Sequence, residues 1–157
     1  MIYFEDIAVG QVFETGDYLV EEPEIIAFGR DYDPQPFHTD PAAARASFFG
    51  GLVASGWHTA AIMMRLQVDA VINRSAVLPS PGFDDLKWLQ PVRPGDRLRV
   101  RLVAAEKTPS RSKPEQGSVR FATEVRNQND DVVMTVSQIG IYRRRDQETG
   151  KGDRGNG

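Results

Sequence analysis

The sequence predicts an α+β fold in which a curved antiparallel sheet wraps around one central helix. Three observations predict it. Trp57 to Ile72 is a sustained apolar segment of helical length. From Arg97 onward the hydrophobic pattern switches to a period of two, the mark of strands with one wet face. Ahead of the apolar segment lie short helix signals broken by proline and glycine rather than a second long element.

The elements follow in order. Val9-Gly10-Gln11 signals a turn, and Val12-Phe13 and Tyr18-Leu19-Val20 are β-formers. Glu21-Glu22-Pro23-Glu24 opens a helix, with acids at its positive end and proline in its first turn. Ile25, Ile26 and Phe28 supply its buried side, and it should stop near Tyr32 because Asp33 precedes Pro34. Asp33 to Asp40 holds two prolines and is expected to be a rigid, non-helical loop. A second short helix then starts with Asp40 as N-cap and Pro41 as first residue, and ends at Gly50-Gly51. The long helix follows, apolar on most faces and so expected to be surrounded by protein; Ser55 is its natural N-cap. Phe83 to Leu89 is a strand candidate. Pro94-Gly95-Asp96 turns into the alternating run Arg97 to Val103, and Thr108 to Gly117 reads as a loop. Val119 to Arg126 alternates again, Asn127 to Asp130 makes a hairpin turn, and Val132 to Tyr142 is the last strand. The whole reads as a single domain over residues 1–145, with 146–157 as a disordered polar tail.

Composition narrows the function. A net charge of −3 gives no electrostatic case for nucleic acid or an anionic membrane. The absence of cysteine removes disulfides, thiolate metal sites and a cysteine nucleophile together. No apolar run reaches membrane-spanning length, and the first residues lack the pattern of a signal peptide, so a cytoplasmic protein is expected. Gly-rich phosphate loops are missing, so no nucleotide cofactor of that kind is implied.

The chemistry concentrates in Asp33-Pro34-Gln35-Pro36-Phe37-His38-Thr39-Asp40, which holds one of two histidines and a carboxylate five positions before it. The bland reading is that Asp33 caps a turn and His38 bonds a backbone carbonyl. The functional one is that the two hold one small substrate between an acid and a base. Asp31, in the last helical turn, competes for the acid role, although surface charge suits it better there. Gly56 opens the long helix, where a backbone N–H at the positive end can stabilise developing negative charge and a glycine permits close approach; a turn requirement explains it equally well. His58 has no partner at metal spacing and reads as a core or interface residue, and no metal site is expected.

On these residues the chain resembles the MaoC-like dehydratases, the family of R-specific enoyl-CoA hydratases with the hotdog fold. The resemblance covers roughly residues 5–143. Asp33, Pro36, His38 and Asp40 fall on the family's loop motif without a gap, with Gln35 where the family has Asn. Ser55-Gly56 stands where the family has His-Gly, with Gly56 eighteen residues after His38. Leu86 to Asp96 is similar to the family's strand and turn. The resemblance implies that Asp33 and His38 jointly activate a water, and that Gly56 supplies an oxyanion N–H. It implies reversible hydration of a 2-enoyl thioester to an (R)-3-hydroxyacyl thioester. The substrate would be an acyl-CoA or acyl-carrier thioester, with coenzyme A part of the substrate and no separate cofactor. A homodimer or higher homo-oligomer is implied too, since a lone curved sheet leaves unpaired edges. Arg111, Lys113, Arg143, Arg144 and Arg145 are the candidate phosphate contacts, and Trp57, Met63 and Met64 the candidate acyl-tunnel residues. A hotdog thioesterase and a non-catalytic acyl-thioester-binding module remain as rivals.

Overall fold

A computed structural model describes residues 1–145; the expected polar tail, 146–157, lies outside them. Three long strands form the centre of a seven-stranded antiparallel sheet: β5 (Arg97–Pro109), β6 (Gln116–Arg126) and β7 (Val132–Arg143). Their alternation is carried into the fold. Leu98, Val100, Leu102 and Ala104 of β5, Val119, Phe121 and Val125 of β6, and Met134 and Val136 of β7 are all buried. At one edge, β1 (Val12–Glu14) and β2 (Tyr18–Leu19) pair with β5; at the other, β3 (Val77–Leu78) and β4 (Phe83–Trp88) pair with β7. The two-residue strand β3 carries no period of its own and was not anticipated.

Against the concave face lies α4 (Gly56–Ala70), the predicted central helix, in the arrangement of the hotdog fold. Its Ile62, Met63 and Leu66 join the sheet residues in one apolar core. The helix is less enclosed than its composition predicts. Trp57, Ala61, Met64 and Arg65 form an exposed side, with Trp57 60% accessible. An apolar stripe on a single chain need not face that chain's own core.

The helices ahead of it largely follow their punctuation. α1 (Glu22–Tyr32) begins and ends where predicted. α2 (Pro36–Thr39) corrects the expectation of a non-helical loop: Pro36 sits in its first turn, where the missing N–H costs no intrahelical bond. α3 (Pro41–Arg45) is capped by Asp40, whose Oδ1 accepts from Ala42 N at 2.9 Å and Ala43 N at 3.3 Å. It stops at Arg45, short of Gly50-Gly51, and turns occupy the residues between. β5 and β6 also run further than expected, reducing the loop between them to 110–115. Among the described residues no helix is long and apolar enough to cross a membrane.

Candidate active site

The site forms where the C-terminus of α1, the turn α2 and the N-terminus of α4 meet. α1 ends because Asp33 cannot stay helical before Pro34, and its N–H closes back onto the Gly29 carbonyl at 2.9 Å. One turn later His38 is buried against Gly29. A Cβ at position 29 would lie 2.8 Å from the His38 carbonyl oxygen, so only glycine allows α2 to pack this closely on α1. The segment before α4 completes the cradle: Val53 N donates to the Phe37 carbonyl at 3.1 Å.

His38 and Asp33 converge. His38 Nε2 lies 3.3 Å from Asp33 Oδ2. The other ring nitrogen, Nδ1, is 2.6 Å from the Val53 carbonyl oxygen. A carbonyl only accepts, so Nδ1 carries a proton, and Nε2 is the nitrogen that faces the carboxylate. Each Asp33 oxygen is held as well. Gln35 Nε2 donates to Oδ1 at 2.8 Å, and Ser55 Oγ donates to Oδ2 at 2.7 Å. Burial works to raise the Asp33 carboxyl, but the Gln35 and Ser55 hydrogen bonds and the neighbouring His38 outweigh it. The net result lies below the ordinary carboxylate value, which keeps the group ionised near neutrality. His38 thus makes the backbone bond of the bland reading through Nδ1 and leaves Nε2 facing Asp33.

Ser55 does two jobs. It caps α4 by accepting from Trp57 N at 3.3 Å, as its position predicts, and it also orients Asp33. Gly56, the first residue of α4, has an N–H with no intrahelical acceptor. Its lack of a side chain answers a nearer need than substrate approach. A Cβ there would sit 2.4 Å from the indole of Trp88, whose Nε1 donates to the Gly56 carbonyl at 2.9 Å. Asp33, Gln35, His38 and Gly56 border a cavity of about 540 Å³, with Phe49, Trp88 and Val92 among its apolar walls.

The remaining candidates sort by position. Asp31 is exposed and does not border the cavity, so Asp33 is the acid the fold presents. Trp57 lines the cavity, Met63 is buried in the core, and Met64 borders a second, smaller cavity further along α4. The five candidate phosphate contacts lie elsewhere. Arg143 pairs across the sheet with Gln116, whereas the site adjoins the Trp88–Met134 end of β7. Nine residues of strand separate the two, roughly 30 Å at standard rise. Arg144 and Arg145 are moreover paired with Glu5 and Asp6, at 3.1 and 2.8 Å. Within one chain these side chains do not reach the cavity. His58 is buried as expected, but it has a partner that spacing could not reveal: Glu24 Oε1 on α1, 3.0 Å from Nε2. Tyr18 donates to the same oxygen at 2.5 Å, and that bond, with burial, pushes its hydroxyl up to about 12. The group ties α1 to α4 behind the site. Among the described residues no cluster of three His, Asp or Glu could hold a metal ion.

The chain has relatives among known proteins. The family profile described as a MaoC like domain matches residues 6–126. The chain belongs to the MaoC-like domain family. A MaoC-like dehydratase from Rhodospirillum rubrum superposes with a TM-score of 0.84 at 42% identity, covering 92% of this chain and 99% of that one. The R-hydratase PhaJ1 from Pseudomonas aeruginosa superposes at 0.71 and 25% identity, over 90% and 86% of the two chains. A 3-hydroxybutyryl-CoA dehydratase of Methylorubrum extorquens is 30% identical over 71% of this chain and 69% of its own length. The MaoC-like domain thus has hotdog-fold hydratases among its relatives, and its dyad stands at the C-terminal end of α1 and in the turn α2.

Proposed function

We propose that this MaoC-like domain is a hydro-lyase that adds water reversibly to a 2-enoyl thioester, giving an (R)-3-hydroxyacyl thioester. The observation that carries the reading is the 3.3 Å approach of His38 Nε2 to Asp33 Oδ2 at the wall of a cavity that Gly56 also borders. A water bridging the Asp33 carboxylate and the His38 imidazole from the cavity side is polarised for attack. The pair takes one proton from it, and the water oxygen bonds to the β-carbon of the enoyl group. The double-bond electrons move onto the thioester oxygen, where the Gly56 N–H at the positive end of α4 offers a hydrogen bond. The pair then returns the proton to the α-carbon. Atoms balance with no redox change, so the reaction draws on no cofactor beyond the thiol carrier, coenzyme A or an acyl carrier protein.

A second copy of the chain is part of this reading. Phe48 is 98% accessible beside the cavity, and Trp57, Trp88 and Leu89 are also exposed there. A homodimer covering them would dry the cavity and strengthen its electrostatics. The setting proposed is cytoplasmic fatty-acid metabolism. The test is direct: crotonyl-CoA should lose its enone absorbance in the presence of the protein, and chiral analysis should return the R product. Release of free coenzyme A with no 3-hydroxybutyryl-CoA would replace the reading with a thioesterase. Binding without any change in absorbance would replace it with a non-catalytic acyl-thioester-binding module.

A further inference from the structure

The second cavity, of about 220 Å³, opens between the C-terminal half of α4 and the strands β4 and β7. Its walls are apolar, including Phe13, Val71, Leu102 and Phe121, yet two amides sit among them. Gln67 of α4 is 1% accessible and Gln138 of β7 is 9%. They bond reciprocally: Gln67 Nε2 donates to Gln138 Oε1 at 3.3 Å, and Gln138 Nε2 donates to Gln67 Oε1 at 2.7 Å. A primary amide has two N–H donors and two acceptor lone pairs, so the pairing uses half of each. The spare N–H groups have no acceptor among the described residues. Near them, though not lining the cavity, is another unmet group. Thr123 Oγ1 is buried without a partner, and Thr123 lies one diagonal from Gln138, which pairs with Phe121 across β6 and β7. Polar capacity left unmet in an apolar wall is costly unless something polar enters to meet it.

Both cavities border α4 and β4, the active-site cavity through Gly56 and Trp88 and the second through Gln67 and Phe83. Gly56 and Gln67 are eleven residues apart on the helix, roughly 16 Å along its axis. We propose that the second cavity is a subsite for the far end of the substrate's acyl chain, and that the amide pair selects a chain ending in a hydrogen-bonding group such as a hydroxyl. This rests on the hydratase reading for the site at Asp33 and adds a substrate class to it. A hydrogen bond at the Gly56 end, another at the amides and the lean of long helical side chains toward the N-terminus take up part of that span, and a chain of about eight carbons covers the rest.

The test compares ω-hydroxyoctanoyl-CoA with nonanoyl-CoA, close in length and differing at the end group. Both are saturated and inert to hydration, so calorimetric Kd values report the subsite whether or not crotonyl-CoA is hydrated. The wild-type chain should bind the hydroxylated thioester at least tenfold more tightly. Gln67→Leu with Gln138→Leu should abolish or reverse that preference, and the 2-enoyl forms of the two chains should then be hydrated without preference for the hydroxyl. Equal binding by the wild type, or tighter binding of nonanoyl-CoA, overturns the subsite, and that comparison stands even if the double variant does not fold. A preference that survives in a folded double variant overturns it as well. Failure of crotonyl-CoA hydration alone, with the binding preference intact, removes the reaction and leaves the subsite.

Discussion

At the scale of single residues, the site depends on how Asp33 is held. Its two oxygens receive separate donors, Gln35 and Ser55, and its carboxyl lies below the 3.8 of a free side chain. A lowered folded-state value has a definite sign. The carboxylate's contribution to stability is complete above 3.8 and is lost as pH falls through the lower folded value. Ser55→Ala removes one donor while burial still acts upward. The acid limb of the kcat/KM profile should therefore move to higher pH, and the acid unfolding transition should follow it. A pH–rate series on folded protein reads the shift; an unmoved limb would mean that Ser55 only caps α4. Loop spacing and helix punctuation singled out Asp33, His38 and Gly56 as candidates, and only the family resemblance gave them roles. Ser55 was legible as a cap but not as a donor to Asp33, since a contact between residues 22 apart leaves no local pattern. Glu24 as partner of His58, 34 residues away, escaped for the same reason.

Among the elements, the joint between α1 and α2 sets the spacing of the dyad. Gly29 makes the joint possible, with an added Cβ only 2.8 Å from the His38 carbonyl oxygen. Gly29→Ala should push α2 outward. Overpacking of this kind costs about 1–3 kcal/mol, which a urea titration would detect. The loss in kcat should exceed what the unfolded fraction explains, because the His38 Nε2–Asp33 contact opens as α2 moves. Full turnover in a destabilised Gly29→Ala protein would show that the joint does not control the dyad. Gly29 sits in the interior of a predicted helix, where a glycine is a local cost without a local reason. That mismatch was the one signal available. The long elements were easier to read. α4 and β5 to β7 have periods that survive folding, while β3, two residues long, exists only because β7 offers it an edge. Pro36 misled because proline is a breaker inside a helix and a favoured residue in its first turn.

On the scale of the molecule, composition predicted an enclosed helix, and one chain does not enclose it. The exposed stripe on α4 and the apolar rim at Phe48, Trp88 and Leu89 ask for a covering surface. Light scattering at micromolar concentration should give about twice the chain mass of 17.5 kDa. Phe48→Glu should weaken that association at least tenfold, since it buries a charge at the rim. A wild-type mass of one chain would contradict the covered rim. The phosphate candidates carry the corresponding lesson. Charge alone selected Arg143 to Arg145, but strand register sends them to the opposite end of the sheet, and two of them are occupied by Glu5 and Asp6. Register is a property of the assembled sheet and is not written in a run of arginines.

The dyad is tested most directly by crotonyl-CoA turnover in Asp33→Asn, compared with wild type at matched folded concentration. The substitution keeps the side chain's shape and removes its charge and its basicity. Turnover should fall by orders of magnitude while the protein remains folded. Turnover near the wild-type rate in a folded Asp33→Asn protein would contradict the account.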